Sequence, residues 1–130
     1  MLATQTRHLI IASTISGLTV VSGIIILVIT NFQATENKTN LETTTQVVEQ
    51  MIKRAQERSE DTVQDSTWGV ATQENKVTLY KGENFIKRDL TYDDVHFIPP
   101  GVYTSGLQEV TFRKVSGEPD TTGEIILNTY

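Results

Sequence analysis

Leu9 to Thr30, LIIASTISGLTVVSGIIILVIT, runs for 22 residues without a charged side chain. The hydrocarbon core of a bilayer is about 30 Å thick, and roughly 20 helical residues cross it. A lone segment in lipid must satisfy its own backbone hydrogen bonds, so it has to be a helix there. Its many Ile, Val and Thr residues would weaken a helix in water, but in lipid burial decides. A signal peptide has a shorter apolar region, of about 7–15 residues, and a small-residue cleavage site of the A-x-A kind. Here the run is longer, and Asn31-Phe32-Gln33-Ala34-Thr35 follows it. Residues 9–30 therefore read as an uncleaved transmembrane helix.

Arg7 is the only charged side chain among residues 1–30, while residues 31–130 carry 10 basic and 16 acidic ones. Arg7 and His8 flank the run on its N-terminal side, and the next basic residue after it, Lys38, stands behind Glu36. The positive-inside bias predicts a cytoplasmic tail at 1–8 and an extracytoplasmic body. The expected location is that of a single-pass inner-membrane protein. Small residues recur at helical spacing within the span: Ala12 with Ser16, Ser13 with Gly17, and Thr19 with Gly23. Such spacing lets helices approach closely, so this face is expected to pack on other helices. The acidic balance of the body argues against nucleic acid as a partner, because displacing phosphate counterions takes clustered Lys and Arg. The absence of Cys excludes disulfides, Cys-ligated zinc and thiol chemistry.

Residues 31–62 read as a helical stalk that becomes an amphipathic helix. Residues 33–62 hold neither Gly nor Pro, and Val47, Val48, Met51, Ile52 and Ala55 form an apolar stripe of helical period. The earlier part, QATENKTNLETTTQ at 33–46, is polar and Thr-rich, which leaves a solvated helix and a partly unwound stalk both open. Asn37-Lys38-Thr39 matches a glycosylation sequon.

From Trp68 the period falls to two, and residues 63–130 read as a small antiparallel sheet domain. Val77 and Leu79 alternate with polar residues, Lys81–Asn84 signals a turn, and Phe85–Arg88 follows it. Tyr92–Ile98 is a further strand candidate, stopped by Pro99-Pro100-Gly101. Val110 and Phe112 alternate within Leu107–Val115, and a loop at Ser116–Gly123 leads to a last strand, Glu124–Thr129. A β region of this size is marginal alone. The helical stripe is therefore expected to cover one sheet face, with Trp68, Val77, Leu79, Val110 and Phe112 meeting it. The fold class is α+β.

Little in the sequence carries chemistry. No HExxH, GxSxG, Walker or EF-hand pattern is present, so neither catalytic residues nor a cofactor are expected. His8 reads as an interfacial flank. Asp94 and His96 would share a strand face but make at most two ligands. Glu118, Asp120 and Glu124 surround one loop and are weak Ca²⁺ candidates beside a plain acidic-loop reading. Phe112-Arg113-Lys114 is a lone basic-aromatic spot.

The order of parts resembles the minor pilins and pseudopilins of the type IV pilus and type II secretion superfamily, nearest the pseudopilin H type. The residues that carry it are Lys53-Arg54-Ala55-Gln56, Asp65-Ser66-Thr67-Trp68-Gly69-Val70 and Leu79-Tyr80-Lys81-Gly82. Leu90-Thr91-Tyr92-Asp93, Leu107 to Phe112, Gly117-Glu118-Pro119 and Thr122-Gly123-Glu124-Ile125 continue it to the end of the chain. The resemblance implies a long N-terminal helix whose second half packs on an antiparallel sheet. It also implies a structural subunit that is held in the membrane, then moved by an assembly platform into a pilus or secretion filament with other pilin subunits. Family members carry a Gly before the apolar run and a Glu within it; Arg7-His8-Leu9-Ile10-Ile11-Ala12 has neither. That departure keeps open a second expectation, a non-polymerising single-span protein whose external domain binds a ligand or partner.

Overall fold

Residues 35–130 are described by a computed structural model. The tail 1–8, the span 9–30 and its packing residues Ala12, Ser13, Ser16, Gly17, Thr19 and Gly23 lie outside the described residues. The first described element, α1, is helical through 35–60. The Thr-rich stretch within it is helical rather than unwound. Thr44 and Thr45 return their hydroxyls to the carbonyls of Asn40 and Leu41, at 2.7 and 2.8 Å, so neither competes for backbone partners outside the helix. Thr44, Val48, Met51, Ala55 and Ser59 are buried, a line of helical period that extends the expected stripe by one turn at each end. Val47 and Ile52 flank it, partly buried. Among the described residues, no helix is long and apolar enough to cross a membrane.

Ser59 ties the end of α1 to the sheet. Its hydroxyl accepts from the Trp68 amide at 2.9 Å, and the Trp68 indole donates to the Val63 carbonyl at 3.0 Å. Between them Thr62 turns into the left-handed region (φ 51°), which closes the helix ahead of a 3-10 turn at Val63–Asp65.

Six strands follow: β1 (Trp68–Gln73), β2 (Lys76–Lys81), β3 (Asp89–Phe97), β4 (Val102–Gly106), β5 (Glu109–Phe112) and β6 (Ile125–Thr129). They form two antiparallel sheets, one of four strands in the order β3-β2-β1-β5 and one of β4 with β6. The single sheet expected from the sequence is corrected here. Pro99-Pro100-Gly101 does stop β3, but it makes a turn, with the Val102 amide donating to the Pro99 carbonyl at 3.2 Å and Gly101 at φ +91°. That turn launches β4, which pairs with β6 rather than with the larger sheet. The segment after Gly82 is likewise a loop rather than a strand, and β3 begins at Asp89, ahead of the expected Tyr92, and ends at Phe97.

α1 packs on the larger sheet through Val48, Met51 and Ala55, which join Trp68, Val70, Val77, Leu79, Val110 and Phe112 in one core. These β residues share one face, because Trp68 pairs with Phe112, and Val70 with both Val110 and Leu79. The opposite face is also closed. Gly69, Ala71, Thr78, Tyr80 and Thr111 alternate with the core residues and are buried too. Phe85, in the loop 82–88, meets the Tyr80 ring edge-on at 5.7 Å between centroids.

Candidate functional site

The candidate site is a cleft of about 360 Å³ between α1 and the last strands. Val48 and Ile52 supply the helix wall, Val110, Phe112, Ile125 and Leu127 the strands, and Pro119 with Thr121 to Gly123 the far rim. Its walls follow from local sequence. The segment 119–124 cannot continue a strand, yet it is held: Asp120 donates its amide to the Thr111 carbonyl at 2.8 Å, and the Leu107 amide donates to the Glu124 carbonyl at 2.8 Å. The segment thus stands off α1 instead of collapsing on it. An apolar cleft with a few hydroxyls at its rim suits an apolar side chain or small apolar molecule.

Among the described residues, Glu49 is the only charged side chain lining this cleft. Glu42 lies two helical turns before it on the same side of α1, and both are exposed. Neither has a counter-ion within 4.0 Å among the described residues, whereas Lys53, a turn further on, faces Glu57 at 3.8 Å.

The predicted polar candidates are drawn into other contacts. Arg113 sits between Asp120, at 2.9 Å, and Glu118, at 3.6 Å, so those two carboxylates face a guanidinium, and Glu124 does not join them. Among the described residues no group of His, Cys, Asp and Glu is placed to hold a metal ion. Asp94 pairs with Arg54 across the helix–sheet junction rather than with His96. Lys114 pairs with Asp65, and that hydrogen bond and charge lower the Asp65 carboxyl below its ordinary range. Trp68 is core, with Arg58 stacked over it at 4.6 Å and Tyr92 edge-on at 6.0 Å. Asn37 of the sequon sits on α1 against the Pro100–Gly101 turn; an added Cβ at Gly101 would lie 2.6 Å from its Oδ1.

Two features escaped the sequence. One is the polar group under the loop 82–88: the Tyr80 hydroxyl meets Glu109 at 2.8 Å and Thr111 at 2.7 Å, and Glu109 also accepts the Phe85 amide at 2.7 Å. Burial raises the Tyr80 phenol well above its ordinary pKa; Thr111 opposes this and Glu109 adds to it. The other is the rigidity of that loop. Arg88 binds both oxygens of Asp93, at 2.9 and 3.0 Å, stacks on Phe85 at 3.8 Å and donates to the Phe85 carbonyl at 2.7 Å.

No family model, no curated protein and no solved structure matches this chain.

Proposed function

We propose that the protein is a minor pilin-like or pseudopilin-like structural subunit, held in the inner membrane by residues 9–30 and assembled into a pilus or secretion filament. The observation that carries this reading is an order of parts. An uncharged 22-residue run precedes a helix whose buried line packs on an antiparallel sheet. In such a subunit the apolar helix exchanges lipid for neighbouring helices, so it stays dry before and after assembly. The extracytoplasmic domain faces outward and makes lateral contacts.

A second reading, a non-polymerising single-span protein with an extracytoplasmic binding domain, is favoured by one observation: no Gly or Glu stands within Arg7–Ala12. Mass spectrometry of filaments sheared from native cells, compared with the membrane fraction, separates the two. The filament reading expects the chain in the sheared fraction, at a ratio to the main subunit that reports a minor or major role. Recovery in membranes alone sinks it.

A further inference from the structure

Ile86 is 92% exposed, the most exposed of the large apolar side chains among the described residues, and it stands on a firmly fixed loop. Both ends of the loop are tied down, at Phe85 by Glu109 and at Arg88 by Asp93, and the Lys87 amide donates to Asn84 Oδ1 at 2.9 Å. Lys87 is exposed, and no carboxylate lies within ion-pair distance of its ammonium among the described residues. The loop thus displays an aliphatic knob beside a free cation.

The cleft is its complement. It is apolar, large enough for an aliphatic side chain, and carries the unpaired carboxylate of Glu49. Knob and cleft cannot meet within one molecule. The cleft opens on the face of the four-stranded sheet that holds Val110 and Phe112, and the loop covers the face that holds Tyr80 and Thr111.

We propose that the cleft receives a second copy of this chain, with Ile86 of one copy seated against Ile52 and Phe112 of the next and Lys87 facing Glu49. Because the two patches differ and lie on opposite faces, the contact is head-to-tail. Repetition then generates a line of subunits rather than a closed two-fold dimer. The contact deepens the filament reading and rests on it for its biological setting. One inserted side chain and one ion pair make a weak interface. It gains occupancy only where copies are already held at high local concentration, in a membrane or along a filament.

The natural chain has no cysteine, which makes cross-linking clean. Full-length protein carrying E83C and T122C, which keeps Ile86 and Lys87 in place, would be oxidised in native membranes and in sheared filaments. Both positions are exposed, so folding is not at stake. The expected product is a ladder beyond dimer. Adding K87E or E49K is expected to weaken the ladder by about three- to tenfold, and combining K87E with E49K to restore it. The ladder should also fade as salt rises, since the pair is exposed. Several outcomes would overturn the proposal: no ladder in either fraction, dimers formed by E83C alone, or a ladder indifferent to charge reversal. Filaments that contain the chain as their main subunit without a ladder would reject this contact and leave the filament role standing; where the chain is scarce in filaments, the membrane fraction decides, and no ladder there rejects the contact. A ladder in membranes with no chain in filaments would keep the contact and reject the filament role.

Discussion

At Gly69 an added Cβ would lie 2.5 Å from Tyr80 Cζ and 2.7 Å from the Val110 carbonyl oxygen. Tyr80 lies across β1 only because nothing stands there, so Gly69→Ala should cost about 2–4 kcal/mol, the range of a core clash that must move backbone or ring. Chemical denaturation followed by Trp68 fluorescence measures it. Tyr80 itself makes stability pH-dependent. Its phenol titrates near 10.0 when free and higher in the fold, chiefly through burial. From about pH 10 upward the unfolded chain binds fewer protons than the native one, so stability falls as pH rises. Below about pH 10 that contribution is complete. Tyr80→Phe removes the phenol from Glu109 and Thr111 and should cost about 1–2 kcal/mol at neutral pH. Its deficit relative to the natural chain should shrink as pH rises beyond 10. A deficit that stays constant across that range would place the titration elsewhere.

At the scale of elements, the loop 82–88 depends on one guanidinium. The Arg88 and Asp93 side chains are only 19% and 15% exposed, so their pairing is screened less than a surface ion pair. Arg88→Lys keeps the charge but loses the Nε–H that both Asp93 oxygens share and the simultaneous reach of Nη1 to the Phe85 carbonyl. It should cost about 1–2 kcal/mol and speed amide exchange at Phe85 more than at Leu79. Equal protection at both amides in the variant would show that the loop stands without Arg88. This loop also marks where the sequence stops being legible. Val77 and Leu79, and Val110 and Phe112, announce their strands by alternation, and Val48, Met51 and Ala55 their helix face by period. Phe85–Arg88 has no period. Its conformation is set by Glu109 and Asp93, which lie 24 and 5 residues away from their partners Phe85 and Arg88. β4 was hidden for a related reason: Val102-Tyr103-Thr104-Ser105-Gly106 is too short and polar to stand out, and only pairing with β6 defines it. Half the cleft was legible as core, through Ile52, Val110 and Phe112. Its rim at Pro119–Gly123 was not, because backbone bonds at Asp120 and Leu107 set its distance from α1.

At the scale of the whole described domain, helix and sheet share one core and have little reason to unfold apart. β1 and β2 contribute residues to both covered faces, but the larger apolar layer exists only while α1 lies on it. Met51, 3% exposed, sits at the middle of the buried helix line, between Val48 and Ala55. Met51→Ala should therefore cost about 2–5 kcal/mol, the combined loss of transfer energy and the cavity left behind. The loss should appear everywhere at once. In full-length protein held in detergent, amide exchange at Val48 in α1 and at Leu79 in β2 should rise by the same factor, and the fluorescence of Trp68, the only tryptophan, should report the same midpoint. A helix that exchanged faster while the sheet kept its protection would mean that the far face, under Tyr80 and Phe85, holds the strands without α1. The sheet would then be the autonomous unit and the helix an attachment. Coincident loss would instead make the helix–sheet body a single rigid piece, which the proposed seating of Ile86 from one copy in the cleft of the next requires.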